Sequence, residues 1–553
     1  MNTGFNYYGK TNLLALIPIL AVTAVFILPY GAALTGGSLP ALNGASREPL
    51  HELPLLPIAL FTVKQAFFST VAALLLGLPG AWFVGTSDSK PARVLRSLTA
   101  VPFAMPSILV VLGFVLFFGN AGWFNSAIAA LTGNATGGAS ILYRTPAIVL
   151  AHAFYNFPLV IRFVGDGLAR VRRAYAPAAA TLGASPLTTA RTVFLPAVAP
   201  ALVHSALLAF LYSFTSFSIV LVLGGGPKAT TLAVEIYRYS RILLSFREAR
   251  IFALAETVIA GAVFALSLFF ERKMRTVSPD NVRRIMERKP MPFRASCVLF
   301  IYLLIIACIV AGPLLSIVAE SFLSRASRAG AAALSFIWWR TLGERYAPAL
   351  FRSLALAFCS ATASCVLAVI AGWTVKNSEK TAGTDAADFM RRTIRLFVSA
   401  PLASSGIVLG LGFLMAYGGK HGANIATVIA VHAVTALPFA GAIIMEGFHT
   451  VNNGVLNAAE SLGASPLKRL FTVDIPLCGR HIRSAFGFAA AISLGELNAV
   501  MMLGIKDFET LPLLIYRAVG AYRYGTACAA GVILMLCCCA AFALSDLGMK
   551  HEA

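Results

Sequence analysis

The run Gly4-Phe-Asn-Tyr-Tyr-Gly9-Lys10-Thr11 has the residue spacing of a loop that wraps phosphate groups. That chemistry needs a strand before the loop and a helix after it, inside an α/β domain. Here only three residues precede it, Tyr7 and Tyr8 crowd the turn, and an apolar run from Leu13 to Leu34 follows. Nucleotide binding by this chain is therefore not expected. Gly224-Gly-Gly-Pro227 offers a second glycine cradle, but it directly follows an apolar run and reads as a turn at that run's end. The nine cysteines show no metal-ligand spacing, and Cys537, Cys538 and Cys539 would point in three directions on a helix. With no HExxH, no Ser-His-Asp order and no Cys/His cluster, no catalytic residue and no metal site are assigned.

The elements that carry these residues are set by composition. Of 553 residues, 58% are hydrophobic and 12% charged, with a mean hydropathy of +0.80. A soluble domain carries about 25% charged residues, so most of this apolar surface must face lipid or other spans. The expected class is an all-α polytopic membrane protein. A bilayer core needs about 20 apolar residues per helix. Runs of that kind centre near Val25, Leu74, Val110, Ala153, Leu211, Ala262, Ile305, Leu367, Gly410, Val434, Ala491 and Leu534, about twelve spans. The first is long enough to be read as a retained helix rather than a cleaved leader. The net charge of +21 comes from basic residues in short loops between apolar runs, not from a basic stripe with interleaved aromatics, so no nucleic acid partner is expected. Cytoplasmic N- and C-termini give the cytoplasmic segments the larger share of Lys and Arg. The basic stretch from Arg272 to Arg294, with Pro279, Pro290 and Pro292, then becomes a cytoplasmic linker.

That linker separates two copies of one pattern. Leu182-Gly-Ala-Ser-Pro-Leu187 recurs as Leu462-Gly-Ala-Ser-Pro-Leu467, a displacement of 280 residues. The same displacement pairs His152 with His432, Pro158 with Pro438, Gly167 with Gly447, Pro196 with Pro476, and Gly224 with Gly504. Further upstream, Pro102 pairs with Pro401 and Gly113 with Gly412, because the first copy carries about 19 more residues near Gly119 to Arg144. The chain is a tandem duplication: 1–271, a linker at 272–295, and 296–553. Six spans per half give both halves one orientation and place a pathway between them. Polar residues inside spans are candidates for that pathway. They are His152 and His432, Glu496 with its counterpart Ser216, and Phe214 and Phe217, whose rings could meet a cation. For the two histidines the plainer expectation is an interhelical hydrogen bond.

The repeated string sits in a polar segment between spans four and five of each half, near 165–199 and 447–483. Pro177-Ala-Ala-Ala-Thr-Leu-Gly183 precedes Pro196, and Asn457-Ala-Ala-Glu-Ser-Leu-Gly463 precedes Pro476 at the same spacing. Ala178, Ala179, Ala458 and Ala459 leave a short helix slim enough to enter a partner's groove. Gly183 and Gly463 allow a sharp exit, and Pro196 and Pro476 start the next span. This resembles the Glu-Ala-Ala coupling loop of binding-protein-dependent ABC importer permeases. The Glu is replaced by Pro177 and Asn457, and Glu460 with Arg191 or Arg173 is the candidate substitute. AHAFYNFP, VLVLGGGPKATTLAVEIYR and FETLPLLIYRAVGAYR are similar to the fused two-domain thiamine permeases, with the iron(III) permeases next.

The resemblance implies two tandem six-helix halves of the type I importer kind and a multi-pass protein of the bacterial inner membrane. It also implies two copies of an ABC ATPase that hold ATP and Mg, and an external or periplasmic substrate-binding protein. This chain would bind no cofactor and hydrolyse nothing. Composition alone also admits an ion-coupled secondary transporter, for which only Glu256 and Glu496 qualify as buried relay groups.

Overall fold

The computed structural model describes residues 19–20, 22–35, 53–87, 89–98, 105–120, 122–132, 142–224, 226, 229–276, 293–324, 333–378, 385–417 and 424–549. The phosphate-loop look-alike at 4–11, Pro102, Gly225, Pro227 and most of the basic linker lie outside them. In the first half the main helices are α1 (Leu28–Thr35), α2 (Leu55–Thr86), α3 (Ser107–Phe118), α4 (Thr145–Thr181), α5 (Leu195–Phe214) and α6 (Phe246–Thr276). In the second they are α7 (Phe293–Ser321), α8 (Gly343–Ser378), α9 (Asp385–Ser399), α10 (Gly406–Tyr417), α11 (Ile425–Thr450), α12 (Asn453–Ser461), α13 (Gly479–Gly495) and α14 (Tyr524–Met549).

Among the described residues nine helices are long and apolar enough to cross a bilayer, and a pair of helices bent by 102° makes ten if the pair counts as one span. Nine of the twelve expected centres fall in the nine helices, and the centre near Gly410 falls in the bent pair. The centres near Val25 and Ala491 fall in shorter helices, Thr23–Thr35 and Gly479–Gly495. The bend has a local cause. A 3-10 turn at Ala400–Ala403 ends α9, and the Ser405 hydroxyl accepts the Val408 N–H at 3.2 Å, capping α10 in a new direction.

The duplication is visible in the packing. α2 lies along α4 and α8 along α11, while α5 and α13 each close a three-helix cluster with their neighbours. Matched hydrogen bonds repeat as well. Leu232 N–H donates to Thr62 Oγ1 at 3.1 Å, and Leu511 N–H to Ser353 Oγ at 2.8 Å. His204 Nδ1 meets the Ser267 carbonyl, and Ser484 meets Ser545.

The first helix of each half is exchanged: α1 packs on α10 of the second half, and α7 on α3 of the first. Two matched glycines make this crossing possible. A Cβ on Gly113 would lie 2.7 Å from the Pro313 carbonyl oxygen of α7, and one on Gly412 would lie 2.2 Å from that of Pro29 in α1. Both prolines leave a carbonyl in their own helix without its usual N–H partner. Backbone thus meets backbone at both crossings, and neither half is complete without the other's first helix.

Candidate functional site

Both repeated loops project from the same end of the bundle. In the first half α4 runs unbroken through Pro177 to Thr181. In the second, α11 stops at Thr450 and α12 starts afresh, its N-cap Asn452 accepting from Gly454 N–H. The two exits are then the same. Gly183 N–H reaches Ala180 O and Ala184 N–H reaches Ala179 O, both at 3.0 Å; Gly463 reaches Glu460 O and Ala464 reaches Ala459 O, at 2.9 and 3.0 Å. With φ of +72° and +81° at the two glycines, each exit is a Schellman cap, a conformation that suits glycine. Ala179 is buried beneath its helix and Ala178 and Ala458 are exposed.

Leu182 and Leu462 stand at these helix ends, 86% and 89% exposed. An apolar side chain presented so fully at two equivalent positions is not covered by any of the described residues. A π turn follows in each loop, Ala190–Phe194 and Leu470–Asp474. Pro196 and Pro476 follow these turns as early residues of the next helix and supply no N–H, so the bonding shifts to i→i+5 there.

The loops differ in what fastens them. In the second half Arg469, 3% exposed, pairs with Glu460 and with Asp474 (3.2 Å) and donates to Asn377; Trp373 Nε1 also donates to Asp474, at 3.1 Å. These contacts tie α12 and its exit to the end of α8. The base that engages Glu460 is Arg469, which folds back from the same loop, whereas Arg173 and Arg191 are exposed. The first half has Thr189 in place of Arg469 and Phe194 in place of Asp474, and α4 is fastened by Arg172 donating to the Thr86 carbonyl. Sequence reasoning missed this network because Trp373 and Asn377 lie about a hundred residues upstream of it.

Between the halves, Ser218 Oγ donates to Asn498 Oδ1 at 2.6 Å. The two residues are displaced by 280, so they are counterparts, and counterparts that touch lie on the pseudo-two-fold axis. The two halves are in direct contact there. Ser216 and Glu496, two residues earlier in each half, are half-buried beside it. Glu496 Oε1 accepts the Ala499 N–H at 3.1 Å, and α13 ends at this point. His152 meets Ser69 at 3.3 Å and His432 meets Ser493 at 2.9 Å, both through Nδ1; in each ring Nε2 is buried with no partner. Phe214 stacks on Phe210 and Phe217 leans on Tyr237, both rings fully buried.

At the end opposite the loops, a cavity of about 1240 Å³ opens among Tyr143, Trp338, Arg345, Tyr346, Arg517 and Tyr524. Beside it, in the loop before Leu511–Gly520, Glu509 is held by Arg345 and Arg517. The Arg345 hydrogen bond holds its carboxyl below the usual carboxylate range.

The family model for the inner membrane component of binding-protein-dependent transport systems matches residues 73–276 and again 381–547. The thiamine transport system permease protein ThiP of Haemophilus influenzae is 27% identical over 532 residues, covering 94% of this chain and 93% of that protein. ThiP of Brucella suis is 28% identical over 539 residues, with the same coverage. A putative 2-aminoethylphosphonate transport system permease protein, PhnU of Salmonella typhi, is 28% identical over 88% of its length but only 45% of this chain.

Proposed function

The chain belongs to the family of binding-protein-dependent transport-system inner membrane components, and from that premise we propose that it is the translocation subunit of an ATP-driven thiamine importer. The observation that carries the reading is the pair of glycine-capped loops presenting Leu182 and Leu462 at one end of a duplicated membrane bundle. Two equivalent knobs suit two copies of one ATPase, which binds ATP and Mg; this chain supplies coupling and pathway but no hydrolysis. Ala178, Ala179, Gly183 and Pro196, with Ala458, Ala459, Gly463 and Pro476, form the docking elements. The loops and both termini face the cytoplasm, and the cavity at the opposite end faces a solute-loaded binding protein. The solute is thiamine or a phosphorylated form, as the names of the relatives matched along nearly their whole length suggest.

Transport works by alternating access. ATP binding draws the two ATPase subunits together, the loops carry that motion into α5 and α13, and the Ser218–Asn498 contact parts. ATP shifts the equilibrium only by favouring one arrangement over the other. Ser216 and Glu496 meet the solute as it passes. His152, His432, Phe214 and Phe217 are packed in the closed state, and they touch it only once the halves separate.

The test is reconstitution of the chain with its ATPase and binding protein in liposomes. Thiamine added on the binding-protein side is expected to stimulate ATP hydrolysis and to be taken up, and Gly183→Asp with Gly463→Asp to abolish both. Uptake driven by an ion gradient without any ATPase would overturn the reading.

A further inference from the structure

Two carboxylates reach the same bend from opposite halves. The bend runs from Pro401 to Gly406, where α9 gives way to α10. From the second half, Glu496 Oε1 lies so close that a Cβ on Gly406 would sit 3.2 Å from it. From the first half, Glu256 of α6 lies next to Ser405, with Tyr30 of α1 and Ser404 close by. Glu256 is 1% exposed, and among the described residues neither carboxylate oxygen has a hydrogen bond of normal geometry, the Ser405 side chain being its nearest polar neighbour. The Tyr30 hydroxyl is engaged with Thr257 at 2.8 Å.

A bare ionised carboxylate in such surroundings costs several kcal/mol. The position therefore calls for a proton or for another positive charge. A chain that had no use for the acid would carry an apolar residue here, as its own repeat does. Phe264-Ala-Leu-Ser267 of α6 recurs as Phe542-Ala-Leu-Ser545 of α14, which places Leu534 at the counterpart of Glu256. The counterpart of Glu496 is Ser216. Both acids thus gather at the Pro401–Gly406 bend, and the counterpart positions in the repeat carry neither.

Their depth fits a passage through the membrane. Glu256 stands ten residues into the 31-residue α6, about 15 Å from its start. Glu496 follows the 17-residue α13, about 25 Å from the loop that begins it. Both lie within the length of the bundle, and Glu496 lies beside the axis marked by Ser218 and Asn498.

We propose that Glu256 and Glu496 form a one-sided site for an organic monocation at the Pro401–Gly406 bend. In the closed state Glu256 holds a proton. When the halves part, the positively charged ring of the solute takes the proton's place and the proton leaves to water, so the charge of the site is unchanged. This rests on the substrate reading above, since the thiazolium ring of thiamine carries a fixed positive charge.

The test has two arms. In the first, the purified full-length chain is treated with dicyclohexylcarbodiimide, which adds to protonated carboxyls in apolar surroundings, and modified residues are located by mass spectrometry. Glu256 is expected to be modified, and thiamine or choline at millimolar concentration to lower the modification at least threefold. In the second, E256Q and E496Q complexes in liposomes are expected to take up thiamine about tenfold more slowly at saturating loaded binding protein, with E256D recovering at least half the rate. Unmodified Glu256, modification indifferent to both cations, or undiminished uptake by both Gln variants overturns the site. If the unsubstituted complex takes up no thiamine, the substrate reading fails, and the choline effect on modification decides the cation site alone.

Discussion

Replacing Arg469 with Ala should unfasten the second coupling loop and leave the first untouched. Its guanidinium is 3% exposed and bonded to Glu460, Asp474 and Asn377, and the Asp474 side chain is equally buried. Removing one member of a buried ion pair costs about 3–5 kcal/mol, because the other charge is left behind. Asp474 keeps the Trp373 indole N–H, and the loop lies at the protein surface where water can enter, so the lower end, about 3 kcal/mol, applies. At about 1.4 kcal/mol per tenfold, that is roughly a hundredfold rise in local opening. Hydrogen exchange reads it directly: amides of Leu462, Gly463 and Ala464 should lose about two decades of protection, while those of α11 stay as they are. Arg469→Met combined with Asp474→Leu should recover most of the loss, since apolar replacement of a whole buried pair is often neutral. Thr189→Ala, the counterpart change, removes one hydrogen bond to Ser185 and should cost about 1 kcal/mol or less. Protection at residues 462–464 within threefold of the native value in Arg469→Ala would refute the reasoning.

Gly463→Val forces a β-branched residue to φ +81°, at about 1–2 kcal/mol, and should weaken binding of the ATPase in a pull-down without lowering the amount of folded chain. A Ser218→Cys/Asn498→Cys variant should form a cross-link under mild oxidation that stops uptake, with full recovery on reduction; uptake that continues through the cross-link would show that the axis does not open there. Gly412→Leu drives a side chain into the Pro29 backbone and should lower the melting temperature of the detergent-purified chain through overpacking of about 1–3 kcal/mol or more. Glu509→Gln tests the ion cluster at the opposite mouth. Because its folded carboxyl titrates below the ordinary range, its stabilisation is present above the unfolded pKa and is lost as pH falls through the folded one. Arg345 and Arg517 are more than half exposed, so each pair is worth about 1 kcal/mol or less, and the variant should flatten the acid limb of stability only slightly.

The membrane class, the duplication and both loops were legible in the sequence, because each rests on local signals. Apolar runs mark spans, a six-residue identity fixes the displacement, and glycine after an alanine-rich turn marks a helix exit. The displacement makes Ser218 and Asn498 counterparts, but that they touch was not legible in the sequence. Nor was the exchange of first helices. Periodicity says that α1 and α7 are helices and that Gly113 matches Gly412, but it does not say which backbone each glycine meets. The bend after α9 was not legible either: the sequence marks only a span centred near Gly410. Arg469 was opaque, and Glu256 was legible only as a buried acid and not by what it faces, for a shared reason: their surroundings come from Asn377 in one case and from Ser405 and Tyr30 in the other, all distant in the chain.

Where the two halves have kept the same contact and where they have diverged follows the symmetry of what they meet. The proposed ATPase dimer would offer two equal grooves and so ask the same knob of both loops; the caps at Gly183 and Gly463 with Leu182 and Leu462 are matched bond for bond. The crossings at Gly113 and Gly412 and the Thr62–Leu232 and Ser353–Leu511 bonds are matched too, because each half must hold the other's first helix in the same frame. A small solute has no two-fold axis. One positive ring cannot be served equally by two identical sites related by that axis; it must choose one, and the second then only competes with it. Once the halves are fused in one chain, their sequences are free to differ, and the acids have collected at one bend while Ser216 and Leu534 occupy the counterparts. The Arg469 network follows the same division. It is absent from the first loop and stiffens the second, the loop that leads through α13 to Glu496.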